Sequence, residues 1–170
     1  MRLVSTALVT ALALCGAGDY SNRRAPGFSL ADSHYQQHDP QDYRGKVLIV
    51  DIVSTHCLAC LRLTDLLVQA KTKYGENLAI ISVLTMPDNQ STADLFAKEH
   101  KVTWPIVFDS GQMIASYLRV TPTNPQIHFP HLFLIDGDGM IRNDFEGTDE
   151  KAMSFDGLAA EIDKLLKPAR

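Results

Sequence analysis

The amino-acid sequence predicts an α/β domain, with a mixed central sheet flanked by helices and an extension at its N-terminus. Three observations carry this. Residues 47–53 and 78–84 are nearly continuous apolar runs rich in β-branched side chains, the pattern of strands buried on both faces. Around them, apolar residues recur at helical spacing. Later, Asp136-Gly137-Asp138-Gly139 is a strong turn signal between two further extended segments.

The first residues have the layout of a targeting segment. Met1-Arg2 is a short positive start, residues 3–14 carry no charge, and the small residues Gly16, Ala17 and Gly18 follow. The run is too short to serve comfortably as a permanent membrane span, so residues 1–18 read as a signal peptide and 19–170 as one domain. Cys15 closes the run Leu12-Ala13-Leu14, which resembles a bacterial lipoprotein signal, although Leu14 stands where a small residue is usual. Either cleavage removes Cys15, or it carries a lipid that anchors the domain to a membrane surface, or, as the least favoured reading, it stays as a free thiol.

The elements then follow in order. Residues 20–27 are a polar leader, Phe28-Ser29-Leu30 starts a short strand, and 34–44 are irregular. The run 47–53 is a central strand, with Ser54-Thr55-His56 as its turn. Leu63, Leu66, Leu67, Ala70 and Tyr74 mark a helix that begins near Cys57 and ends at Gly75 and Asn77. The second buried strand is 78–84. Ser91 is a helix cap with Asp94 as its partner, placing Leu95 and Phe96 inward. Residues 104–108 form a short strand, 113–118 a short helix and 121–129 a loop with Pro122 and Pro125. A hairpin, 131–135 with 140–145, precedes a last amphipathic helix through Phe155, Leu158, Ala159, Ile162, Leu165 and Leu166.

Composition narrows the function. The chain has 170 residues, 45% hydrophobic and 21% charged, with net charge −4. That is ordinary for a globular protein, and no basic stripe argues for nucleic acid.

Apart from Cys15, the cysteines are Cys57 and Cys60, three positions apart. A disulfide closing so small a loop adds little stability through chain entropy, so the pair reads as reactive rather than as a staple. A structural zinc site needs four ligands, and no second cysteine pair exists. Cys57-Leu58-Ala59-Cys60 also lies where a buried strand gives way to a helix. Backbone N–H groups at a helix N-terminus favour a thiolate, the attacking species in disulfide exchange. Cys57 is therefore the expected nucleophile and Cys60, one turn on, the buried resolving thiol. No cofactor is implied.

Several segments resemble the TlpA/ResA-like branch of the thioredoxin superfamily, which comprises exported, often membrane-tethered thiol–disulfide oxidoreductases. They are Ala25-Pro26-Gly27-Phe28-Ser29-Leu30, Tyr43-Arg44-Gly45-Lys46-Val47-Leu48-Ile49-Val50, the Cys57–Cys60 motif, and Phe129-Pro130-His131-Leu132-Phe133-Leu134-Ile135-Asp136 with its hairpin. The resemblance covers residues 25–147 and implies a thioredoxin-like fold. It implies protein thiols and disulfides as substrates, with a membrane or periplasmic redox partner. The location it implies is the bacterial periplasm, or a tether on the outer side of the inner membrane. It makes Pro130 the family's cis-proline, setting the Phe129 backbone against the Cys57 sulfur. Phe129 stands where the family often has Thr, which makes the substrate-facing surface bulkier.

Asp51 lies six residues before Cys57, inside an apolar strand. Thioredoxin has a buried acid at this offset that accepts the resolving thiol's proton, whereas the TlpA/ResA branch usually does not. Asp51 is thus expected to have a raised pKa and to exchange a proton with Cys60, or else to sit at a solvated edge. His56 replaces the family's usual Trp, and Leu58-Ala59 lacks the usual Pro. A protonated His56 would stabilise the Cys57 thiolate; alternatively it is a surface residue without a role. Two other functions fit parts of the sequence. His56, Cys57, Cys60 and His128 or His131 would suit copper(I) or zinc if they converged. A peroxiredoxin-type peroxidase needs P-x-x-x-[ST]-x-x-C; Ser54 is correctly spaced, but Val50 occupies the Pro position.

Overall fold

The sheet is built around β4 (Val47–Ile52), which hydrogen-bonds to a neighbour on each side. A computed structural model describes residues 18–150 and 153–166. Residues 1–17 of the expected signal segment, Cys15 among them, lie outside the described residues. β5 (Leu78–Leu84) pairs parallel to β4, with Asp51 opposite Ser82. β7 (His131–Ile135) pairs antiparallel on the other side, with Asp51 opposite Leu132. β6 (Ile106–Phe108) extends the sheet beyond β5, and β8 (Met140–Glu146) beyond β7. Every residue of β4, β5 and β7 is buried, which is why these segments read as continuous apolar runs.

Side chains along β4 alternate between two cores. Val47 and Ile49 pack with Leu63, Leu67 and Ala70 of α1 (Leu58–Tyr74) and with Leu158 and Ile162 of α4 (Phe155–Leu166). Leu48, Val50 and Ile52 pack with Phe133 and with Met113, Ile114 and Tyr117 of α3 (Gln112–Tyr117). α1 ends at Gly75, whose φ of 54° suits glycine, and Lys71 Nζ donates to the Gly75 and Leu78 carbonyls.

Two expectations change. α2 (Gln90–His100) is capped by Asn89 rather than Ser91. The Asn89 side chain accepts from the N–H groups of Ser91 and Thr92, and Thr92 Oγ1 accepts from the Asn89 N–H. Ala93 and Phe96 face inward, while Leu95 is 56% exposed. The strand expected from Trp104 begins only at Ile106. Pro105 has no N–H to give a ladder, though its carbonyl accepts from Ser82 N–H at 3.0 Å.

The extension contains more order than its polar composition suggested. β1 (Arg23–Arg24) adds to the edge of β8. β2 (Leu30–Ala31) and β3 (Gln37–His38) form a small hairpin. Asp144 of β8 clasps the start of the described chain: Oδ1 accepts from Tyr20 N–H at 3.0 Å and Ser21 Oγ at 2.7 Å. Its Oδ2 lies 3.1 Å from Nε2 of the buried His131. Burial acts to raise the Asp144 pKa, but the bonds from His131, Ser21 and the Tyr20 backbone outweigh it and hold the carboxyl below its usual value.

Phe133 is fully buried, edge-on to Tyr117 at 5.0 Å and stacked on His131 at 4.6 Å. Phe133→Ala should lower stability by about 3–5 kcal/mol in urea denaturation, with the m-value retained.

Candidate functional site

The site forms where β4 ends. Its backbone runs through Ser54-Thr55-His56 into α1, and Cys57 is the N-cap residue, with extended φ and ψ of −106° and 113°. Cys57 Sγ accepts the Cys60 N–H at 3.2 Å. No acidic residue occupies the first turn of α1, whose N-terminus lies at this sulfur. Cys57 is half-buried and Cys60 has no exposed surface; both are free thiols. Burial, and then its hydrogen bond with Cys57, pushes the Cys60 thiol well above its usual pKa, against a lowering effect of the Ser54 backbone. Two cysteines three residues apart thus have unlike surroundings, one reachable and one enclosed.

Opposite them is the loop into β7. The Phe129–Pro130 peptide is cis, and the Phe129 carbonyl accepts from Cys57 Sγ at 3.8 Å. Pro130 is buried. The Phe129 ring is half-buried and packs against two apolar clusters. Cys57 and Phe129 also pack against one of these clusters in common. Gly147 fits under this corner. Its N–H donates to the Pro130 carbonyl at 3.0 Å, and a Cβ there would fall 2.5 Å from Pro130 Cδ.

Asp51 is fully buried beneath α1 in the central strand, not at an edge. Its Oδ2 accepts from Ser82 Oγ at 3.3 Å, while Oδ1 has no partner. Burial raises its pKa to about 7, against a lowering effect of the Ser82 hydrogen bond. The same negative charge makes a minor contribution to raising the Cys60 pKa, behind burial and the Cys57 hydrogen bond.

His56 immediately precedes Cys57 in the turn. Its side chain is 67% exposed, and Nε2 lies 3.9 Å from Asp88 Oδ1. Asp88 is buried and also accepts from Thr55, through the backbone N–H at 3.2 Å and through the hydroxyl. This carboxylate fastens the turn before Cys57 to the loop after β5, where Met86–Pro87 is also cis. The histidines do not converge on the sulfurs. His128 is exposed and bonded to Gln126, and His131 is buried against Asp144. Among the described residues no group of three or more metal-ligating side chains is assembled.

Asp88, Thr55, Ser82, Trp104 and Gly147 complete the site without having been singled out in the sequence. The clue for Ser82 was a lone hydroxyl within an apolar run. For Asp88 and Gly147 the sequence holds no comparable signal, because their roles come from loops that meet in space.

A Cys-x-x-Cys motif at a helix N-terminus, beside the Phe129 carbonyl at one end of a mixed sheet, is the arrangement of a thioredoxin-like oxidoreductase. The chain belongs to the AhpC/TSA family, whose model matches residues 22–144. Among curated relatives, thiol-disulfide oxidoreductase ResA of Geobacillus thermodenitrificans is 28% identical over 124 residues, covering 73% of this chain and 68% of the relative. A putative protein disulfide isomerase from Bacteroides thetaiotaomicron superposes with TM-score 0.70 at 23% identity, over 86% of this chain and 89% of that one. A secreted Mycobacterium tuberculosis disulfide oxidoreductase homologous to Escherichia coli DsbE gives TM-score 0.67 at 16% identity, over 81% and 96%. The resemblance seen in the sequence thus holds for both family and fold.

The Asp51 carboxyl sets a pH dependence. Its folded pKa of about 7 exceeds the ordinary 3.8, so the folded protein holds a proton that the unfolded chain has released. Its contribution to stability is complete below about pH 4 and is lost as pH rises through about 7. Asp51→Asn should therefore stabilise the protein at pH 8, by up to about 4 kcal/mol, and have little effect at pH 4. Urea denaturation at the two pH values measures the difference.

Proposed function

We propose that this protein is an exported thiol–disulfide oxidoreductase that exchanges disulfides with protein substrates through Cys57 and Cys60. The observation that carries this reading is Cys57 Sγ, seated on the N-terminus of α1 and facing the Phe129 carbonyl. A helix N-terminus supports the thiolate, and the backbone carbonyl beside it can offer an extended substrate chain a partner.

The exchange runs in two steps. The Cys57 thiolate attacks a substrate disulfide; a mixed disulfide forms, and one substrate sulfur leaves as a thiolate and takes a proton. Cys60 then gives its proton to the Asp51 carboxylate and attacks the Cys57 sulfur. The Cys57–Cys60 disulfide forms and the second substrate sulfur leaves. Two electrons pass from the pair to the substrate, and the reverse sequence oxidises a substrate dithiol. Pro130 and Phe129 supply the substrate-facing backbone. His56 borders the approach to Cys57.

Export rests on the sequence of residues 1–18, and a secreted oxidoreductase shares the fold. This reading places the protein in the bacterial periplasm, or on the outer side of the inner membrane through a lipid on Cys15, where a periplasmic or membrane redox partner would reset the pair. Among the described residues no helix is long and apolar enough to cross a membrane.

Cys57→Ser should abolish insulin-disulfide reduction, a fall of at least about a hundredfold. Cys60→Ser should accumulate a mixed disulfide visible on non-reducing gels. Full activity in the Cys57 variant would overturn the proposal. Fast peroxide turnover with a thiol donor, in place of disulfide exchange, would favour the peroxidase reading.

A further inference from the structure

Asp51 has an unusual set of partners. Ser82 is the one side chain among the described residues that hydrogen-bonds it, through Oδ2 at 3.3 Å, while Oδ1 is buried without a partner. Ser82 is itself held: the Trp104 indole Nε1–H donates to Ser82 Oγ at 2.9 Å. All three residues are buried, Asp51 to 0%, Ser82 to 1% and Trp104 to 7% exposure. They come from three places, with Asp51 and Ser82 directly opposite on β4 and β5 and Trp104 just before β6.

The chemistry of these groups gives the chain a direction. An indole nitrogen only donates, so Trp104 occupies an acceptor position on Ser82 Oγ. The single Ser82 proton is then left for Asp51 Oδ2. No basic side chain among the described residues bonds either carboxylate oxygen. From α1, the Cys60 thiol is the titratable group whose pKa the Asp51 charge helps to raise. β7 brings Leu132 opposite it, and α4 brings Leu158 and Ile162 to the same core.

We propose that Ser82 and Trp104 are positioning residues for proton transfer: Trp104 fixes the Ser82 hydroxyl, the hydroxyl fixes and steadies one oxygen of Asp51, and the other oxygen is left free to take the proton of Cys60. This rests on the thiol–disulfide reading above. The serine hydroxyl does modestly what an ionic partner would do strongly. It favours the carboxylate enough for a proton to be exchanged near neutrality, yet leaves it a working base.

The test is the pH dependence of disulfide exchange together with the emission of Trp104, the chain's single tryptophan. Ser82→Ala should move the midpoint of the pH–rate profile upward by about one unit, lowering the rate at pH 7 about fivefold while keeping the alkaline plateau. Trp104→Phe should move it the same way by a smaller amount. In the unsubstituted protein, Trp104 emission should step with pH at the kinetic midpoint, and Asp51→Asn should remove that step. If Asp51→Asn flattens the rate profile but Ser82→Ala and Trp104→Phe leave the midpoint in place, the positioning roles are wrong and the base role of Asp51 stands. If Asp51→Asn leaves the rate profile unchanged, the base role fails, and this inference with it. Loss of exchange in Cys57→Ser is independent of both results.

Discussion

The site depends on β4 being paired on both edges and covered on both faces. A strand so enclosed has little freedom to shift, because each neighbour fixes its register and each face its side-chain set. It delivers Cys57 to the mouth of α1 at a fixed height, and β7, in register with it, delivers Pro130 to face that cysteine. The same enclosure explains the chemistry of Asp51. On an edge strand it would be an ordinary solvated carboxylate; in the central strand burial governs its protonation.

Two buried carboxylates show how this environment is divided. Asp144 gathers donors from His131, Ser21 and the Tyr20 backbone, and its pKa falls. Asp51 has one donor, and its pKa rises. Both have little exposed surface, and Asp51 is the more deeply enclosed. The number of hydrogen bonds to the charged form widens the difference. One carboxylate is a fixture that secures the N-terminal extension, and the other is free to change charge.

Much of this was legible in sequence. The strands 78–84 and 131–135 and the helix 155–166 were readable to the residue, because continuous apolar runs and a clear helical period have few other uses. Cys57, Cys60, Pro130 and Asp51 were visible as residue types in a telling order. What escaped was set by contacts between distant segments. The two-residue strands of the extension have no period of their own, and exist because β8 or a facing hairpin arm offers them partners. Leu95 looked like a core residue because it is leucine, yet Ala93 and Phe96 occupy the face that packs. His131 suits a metal site by residue type alone, while the residue that it pairs with, Asp144, lies on the next strand. His56 adjoins Cys57 in the chain, and the carboxylate 3.9 Å from its ring, Asp88, comes from a distant loop.

The clasp on Asp144 also fixes where the preceding chain departs. Gly18 N–H bonds Asn143 Oδ1, and Tyr20 and Ser21 are held beside His131, the residue next to Pro130. The extension therefore begins toward the same end of the sheet as the two cysteines. Whatever restrains the chain upstream restrains it near that working rim. A short leash would limit the orientations the rim can take and the distance it can search, so its length would become a determinant of which partners Cys57 can meet.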